Sequence, residues 1–315
     1  MIHSEKIVID DINYEEQYAN SLKRILSKGI KQSNRTGIDT YVVQHQYFHL
    51  KDVANNFPAL RGKKIFPKLA LKELFWFLCG RTDLKFLHDV NVHYWDEWEI
   101  KEGEWKGTVG KTYGWQFRNF NGIDQLEESI RLFINDPLSR RNIISLWNVN
   151  DLRLMALAPC VYDYHFECTP IEENKFFIDL HVRSRSEDSF LGCPYDFCSS
   201  AWFLNIMCDI LNLAQSDKTF KARDVHFTCD NYHIYENHIE QVKQYLENFE
   251  KGKQENLFDI PILFESKMKD VYENVNENSI ANKYLNIFFN NEMFDLFNLN
   301  KYQTPFNKIE AQVAV

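Results

Sequence analysis

"KFFIDLHVRS", Lys175 to Ser184, alternates without a break. Phe176, Ile178, Leu180 and Val182 fall on one side of an extended chain; Phe177, Asp179, His181 and Arg183 fall on the other. A period of two with one apolar side predicts a strand laid over a core. Upstream, "NIISLWN" (Asn142–Asn148) and "CVYDYHFEC" (Cys160–Cys168) read as two more strands. Helical patterns surround them. Asn13 followed by Glu16 is a capping-box signal, and Tyr14, Tyr18, Leu22 and Leu26 then share a helical face that stops at Gly29. "KLALKELFWFLCG" is apolar on nearly all sides and predicts a buried helix ending at Gly80. Asp124 with Glu127 caps a helix carrying Leu126, Ile130, Phe133 and Ile134 that stops before Pro137. "SAWFLNIMCDILNLA" and "YHIYENHIEQVKQYLENF" also read as helices. The expected class is α+β: a mostly antiparallel sheet with helices packed on it.

No Gly/Ser/Pro linker and no internal repeat divides the chain, so residues 1–315 are expected to form a single domain. From about Lys251 to Tyr302 the composition turns to Asn, Lys, Glu and Phe, which predicts an elaborated or helical insertion within it.

Hydrophobic residues make up 44% of the chain and aromatics 15%, enough for a sizeable core and too much for wholesale disorder. A formal net charge of −9 disfavours broad nucleic-acid binding, which rests on neutralising phosphates. There is no basic strip with interleaved aromatics of the kind a dedicated nucleic-acid site needs. "MIHSEKIVIDD" has no signal-like apolar core, and no apolar stretch is expected to reach membrane-spanning length. The seven cysteines form no CxxC pair, so no metal site is expected; free thiols in a reducing cytoplasm fit better.

Cys160 follows Pro159 at the start of a strand. It reads either as a core cysteine or as a nucleophile on a strand rim. Arg140 and Arg141 in "DPLSRRN", Arg183 and Arg185 in "VRSRSED" and Arg35 in "NRTG" supply an unusual density of guanidinium. Such forks suit phosphate oxygens, and a positive neighbour lowers a thiol pKa toward the reactive thiolate. The combination suggests covalent attack on an anionic substrate.

At this point the sequence resembles the thymidylate synthase family along most of its length. The resemblance rests on "SNRTGIDT", "KELFWFLCGRTD", "VHYWDEW", "TYGWQFR", "DPLSRRNIISLWN", "ALAPC", "RSEDSFLGCPYD", "HIYENHIEQ" and "KIEAQVAV", which occur in the family's order. The stretch from Lys251 to Leu299 is least covered. The resemblance implies a homodimer built through the sheet face, a deoxypyrimidine 5′-monophosphate substrate and 5,10-methylenetetrahydrofolate as co-substrate, with no metal. It implies that Cys160 adds to C6 of the base, making C5 nucleophilic. Glu73 steers protons through ordered water, and Tyr113 assists loss of the C5 proton. Arg35, Arg185 and Ser186 hold the phosphate; Arg140 and Arg141 reach the phosphate in the neighbouring subunit. His233 and Tyr235 bind the sugar 3′-hydroxyl. Trp95, Trp98 and Asp188 contact the folate, and Val315 helps close the site.

Two positions depart from the family pattern. The usual Leu-Gly-x-Pro-Phe-Asn is Leu191 to Asp196 here, with Asp196 replacing the asparagine, and Val161 replaces the histidine that usually follows the nucleophile. An amide satisfies the N3 donor and O4 acceptor of uracil, whereas a carboxylate suits the 4-amino group of cytosine. A proton shared between Asp196 and cytosine N3 completes both contacts. Ionised Asp196 facing uracil O4 is poorly paired, and mispaired buried groups discriminate strongly. The resemblance therefore points to the deoxycytidylate branch, in a cellular or a viral host cytoplasm. Hydration of the methylene intermediate to 5-hydroxymethyl-dCMP is the favoured outcome. Reduction to 5-methyl-dCMP and conversion of dUMP to dTMP are the alternatives. Outside this class, a cysteine hydrolase pairing Cys160 with His165 or His233 and a catalytically silent binding homologue remain as rivals. His165, five positions along the strand, is expected on the opposite face from Cys160.

Overall fold

The computed structural model describes residues 12–271, 279–285 and 291–313. In chain order the elements are α1 (Tyr14–Lys28), β1 (Ile30–Gln32), β2 (Thr40–Leu50), α2 (Pro67–Leu78), α3 (Leu84–Asp89), α4 (Tyr113–Asn119) and α5 (Gln125–Asn135). There follow β3 (Ile143–Ser145), β4 (Val161–Glu172), β5 (Lys175–Ser184), β6 (Glu187–Asp188), α6 (Cys193–Ala214), β7 (Thr219–Tyr235) and α7 (Ile239–Gln254). The last described elements are β8 (Leu263–Ser266), α8 (Met268–Val271), α9 (Ile280–Leu285) and β9 (Phe297–Asn300). The main sheet runs β1-β2-β7-β5-β4-β3, with β6 on β7. Pairings are antiparallel except β5–β7 and β6–β7, so the sheet is mixed, mostly antiparallel, and the class is α+β.

Phe176, Ile178, Leu180 and Val182 of β5 are all buried, as the alternation requires. Over them lies α6, whose Trp202, Phe203 and Leu204 are buried to within 1%. Contrary to the sequence expectation, α6 is long and apolar enough to cross a membrane, but 78% of its most apolar window is buried inside the protein, where it forms the core helix. In α2, Leu71, Leu74, Phe75 and Trp76 are fully buried. The α1 cap holds: the Asn13 side chain accepts from the Glu16 amide at 2.8 Å, a contribution of about 1 kcal/mol. The buried face of α1 uses Ile25 rather than Leu26, which is 39% exposed, and the Glu16 carboxylate pairs with Lys253. Asp124 caps α5 through the Glu127 amide at 3.0 Å.

Three expectations need correction. The stretch "YHIY" is not helical: it is the end of β7, and α7 starts only at Ile239. β7 slips its alternation at Arg223–Asp224, where the pairing with β5 shifts between Ile178 and Leu180, so its period of two is broken. "NIISLWN" contributes only the three-residue β3. β2 and β7, which pair along their lengths, were not among the strands read from the sequence. Between Lys251 and Tyr302 the described residues include the two-stranded antiparallel β8–β9 sheet and short helices, and Phe294 and Phe297 from this region are buried against the core.

Two features shape the rim at Cys160. A register shift between Val161 and Asp163 bends the start of β4, as bulges do beside reactive residues. Gly110 lets the preceding segment come close: its φ is +70°, and a Cβ there would sit 1.9 Å from the Leu154 carbonyl oxygen.

Candidate active site

Cys160 stands immediately before β4, half-buried. Its amide donates to Tyr113 Oη at 2.7 Å, and its carbonyl accepts from the Arg185 amide at 2.9 Å. The Arg185 guanidinium donates through Nε to the Pro159 carbonyl and through an Nη to the Ala158 carbonyl, both at 2.9 Å. Its carbon lies 5.5 Å from the Trp147 ring centroid. Arg185 therefore shapes the loop that presents the sulfur. The expectation of a thiol lowered by arginines is corrected here. Burial pushes Cys160 up more than Arg185 and Arg35 pull it down, while Asp196 and Asp188 add to the rise. Burial thus favours the thiol form.

Tyr113 opens α4 and stacks on Phe77 of α2, with ring centroids 4.6 Å apart. Glu73 lies on the same helix, α2, and among the described residues its hydrogen-bond partners are Trp95 and Tyr94. Trp95 Nε1 donates to its Oε1, and the Tyr94 hydroxyl turns in onto it. Burial still pushes Glu73 up to about 8, so it holds a proton at neutral pH. Trp95 itself is only 6% exposed, packed edge-on to Trp98 at 5.6 Å and to Tyr113 at 6.0 Å.

The second wall comes from β6 and the start of α6. Asp196 sits in the first turn of α6, with Pro194 near its start, and its amide donates to the Gly192 carbonyl at 3.0 Å. Burial raises Asp196 to about 6. Facing it is Glu187, which sequence reasoning missed; burial, then Asp196, push Glu187 well above the usual carboxylate range. Asp188 Oδ1 accepts from the Phe190 and Leu191 amides at 2.9 and 3.2 Å and so sets the turn into α6. Beneath that turn lies Lys63, also missed: its Nζ donates to the Phe190 carbonyl, and burial pulls it down to about 7.

At the end of β7, His233 pairs in register with Asp188. Its Nδ1 lies 2.7 Å from the Asn231 carbonyl, which places the ring proton there and leaves Nε2 as the acceptor nitrogen. Tyr235 packs edge-on to it at 5.1 Å. Ser186 Oγ lies 3.5 Å from Asn231 Oδ1. Arg35 is exposed on a turn built by Asn34, whose side chain accepts from the Thr36 amide and donates to the Ile38 carbonyl. Its charge reaches both Cys160 and Tyr235.

The fold thus gathers Cys160, Tyr113, Glu73, Trp95, Asp188, Asp196, Arg185, His233, Tyr235 and Arg35 around one site. Arg140 and Arg141 are exposed in the turn before β3 and are not among the leading charges on Cys160. Val315 lies outside the described residues. Among the described residues no histidine bonds to Cys160, and His165 instead pairs with His181 across the sheet, which removes the support for a Cys–His hydrolase. Among the described residues no disulfide is formed.

A protein-family model described as thymidylate synthase matches residues 16–315. Curated relatives named thymidylate synthase share this sequence: one from Brachyspira hyodysenteriae is 35% identical over 72% of this chain and 82% of its own. One from Mycoplasma genitalium is 36% identical over 72% and 84%. A third, from Mycoplasma mobile, is 34% identical over 73% and 84%.

Proposed function

The chain belongs to the thymidylate synthase family, and from that premise we propose that it transfers a one-carbon unit to C5 of dCMP. The family acts on a deoxynucleotide with methylenetetrahydrofolate. The observation that carries the dCMP reading is Asp196 with Glu187 beside it, two buried carboxyls where the family pattern has one amide.

In this reading Arg35, Arg185 and Ser186 hold the phosphate and leave Cys160 under C6. Phosphate binding draws the guanidiniums into place and favours the thiolate that burial otherwise suppresses. Cys160 attacks C6, and the electron pair of the 5,6 double bond makes C5 the nucleophile. Tyr113, fixed by the Cys160 amide, lies ready for the C5 proton. Protonated Glu73 orders water along the base. The Nε2 acceptor of His233, with Tyr235, suits a sugar hydroxyl. The half-buried Trp98 ring and the Asp188 carboxylate fit an aromatic heterocycle bearing N–H donors. Arg140 and Arg141, unplaced within one subunit, serve the site of a second copy across the sheet face.

A second reading, dUMP to dTMP, is favoured by the names of the relatives. The test is a product assay with methylenetetrahydrofolate and either nucleotide, reading product mass and folate state. Hydroxymethyl-dCMP with tetrahydrofolate is the expected product. Methyl-dCMP with dihydrofolate keeps the substrate and reverses the last step. Turnover of dUMP alone makes the chain a thymidylate synthase and overturns the dCMP reading.

A further inference from the structure

Glu187 is 2% exposed, on the two-residue strand β6, with its backbone paired to Tyr232. Its Oε2 is buried with no hydrogen-bond partner. The ionisable groups facing it come from every neighbouring element: Asp196 and Cys193 of α6, Cys160 before β4, Tyr164 of β4, Cys229 of β7 and Tyr18 of α1. Each is neutral or negative; none can balance an ionised carboxylate. Ser184 is also close, but its hydroxyl donates to the Ser186 carbonyl at 3.0 Å. A buried charge without a cation is expensive, so the side chain keeps its proton and has one O–H to give. Asp196 is the acceptor within reach.

We infer that Glu187 is a positioning residue that fixes which oxygen of Asp196 accepts and which one donates, and thereby makes the site select a 4-amino over a 4-oxo pyrimidine. The inference rests on the dCMP reading above. When the base binds, Asp196, raised to about 6, takes up one proton from water, and a neutral aspartic acid alone is ambiguous. With its O–H toward O4 and its carbonyl toward N3–H it mimics an amide and reads uracil; reversed, it reads cytosine. The oxygen that accepts from Glu187 is the one without a proton. Directed at the 4-substituent, that oxygen accepts from an amino group and has nothing to offer a carbonyl. The Asp196 proton then sits on the other oxygen, toward N3. As the substrate reacts, the Asp196 O–H bond breaks and N3–H forms. The cytosine ring gains the positive charge that makes C6 a better acceptor for the Cys160 sulfur, and the π pair moves to C5. Glu187 keeps its own proton and continues to donate to the carboxylate left behind, an interaction stronger after transfer than before.

The experiment compares kcat/KM for dCMP and dUMP in the intact protein, Glu187→Gln and Glu187→Val. The amide N–H of Gln replaces the missing donor, so Glu187→Gln is expected to keep the dCMP preference. Glu187→Val leaves Asp196 free to turn and is expected to lose the preference by about tenfold or more. An unchanged ratio in Glu187→Val overturns the inference. If that variant does not fold, the pH course decides. The wild-type preference should fall as pH rises and Glu187 ionises, and Glu187→Gln should stay flat; parallel profiles overturn the inference. A wild type that uses only dUMP sinks the dCMP reading itself, whereas a dCMP-selective wild type with an indifferent Glu187→Val sinks the Glu187 role alone.

Discussion

Arg185 reaches the Pro159 carbonyl through Nε at 2.9 Å, one residue ahead of Cys160, so in this state its guanidinium grips the nucleophile's loop rather than its sulfur. A lysine keeps the charge but cannot fork to both the Pro159 and Ala158 carbonyls. Arg185→Lys is therefore expected to retain phosphate affinity within about tenfold while kcat falls more steeply, because the loop is loosened. Inorganic phosphate should accelerate alkylation of Cys160 by iodoacetamide in the wild type and less so in this variant. A variant with normal kcat and weakened KM would make Arg185 a phosphate ligand only.

Asp196 decides the base in the proposed function. Asp196→Asn restores an amide with both a donor and an acceptor, and the kcat/KM ratio should move from dCMP toward dUMP by about a hundredfold or more. Retained dCMP selectivity in that variant removes the base-reading argument.

Glu73 is raised to about 8 by burial, against hydrogen bonds from Trp95 and Tyr94. A carboxyl whose folded pKa lies above its unfolded one favours the native state below the unfolded pKa, and that contribution is lost as pH rises through the folded value. Glu73→Gln removes the titration. Its melting temperature relative to wild type should climb from about pH 5 and level off above about pH 8, even as activity drops. Trp95→Phe deletes a bond that favours the ionised form, so the alkaline limb of the wild-type profile should shift further up. A constant temperature difference across that range would place Glu73 outside the buried, protonated state described.

Across the open face of the sheet, His226 is stacked between His49 at 4.6 Å and His181 at 4.7 Å, with His165 next in the row. Burial, then His181 and His49, lower the His226 pKa; Asp179 and Asp224 pull the other way. A histidine lowered in the folded state contributes stability above its unfolded pKa, near 6.5, which is lost as pH falls because the unfolded chain takes the proton more readily. Replacing His226 with Phe should raise the melting temperature relative to wild type more at about pH 5.5 than at pH 8. The reverse slope would show that acid partners, not the stacked rings, govern His226.

The parts of the fold that were legible in the sequence are those where one physical demand acts alone. β5 turns its apolar residues to the core and its polar ones away, so Phe176 to Val182 alternate openly; α1 and α5 begin at side-chain caps that the sequence spells out. β7 hid because the irregularity at Arg223–Asp224 shifts its phase and because "HIYENHIEQ" runs from strand into helix with no breaker between. In the site, motif order located the reactive residues, but charge balance depends on burial. The arginine-rich surroundings suggested a low thiol pKa, and desolvation reverses it at Cys160. Glu187 gave no signal at all: only its placement among Asp196, Cys193 and Cys229 turns an ordinary glutamate into an acid that must stay protonated.

Arg140 and Arg141 provide the test of the assembly. Both are exposed in one subunit and stand apart from the charges on Cys160. If they serve the neighbouring site, Arg140→Ala combined with Arg141→Ala should be inactive alone, as should Cys160→Ala. Mixed after mild dissociation and reassociation, each hybrid dimer pairs an intact Cys160 in one subunit with intact arginines in the other. Random mixing of two parents makes half the dimers hybrid with one working site each, so activity should recover to about a quarter of wild type. A mixture that stays inactive while exchange is verified by mass would confine both arginines to their own subunit. Their effect would then have to be sought in the fold of the turn before β3.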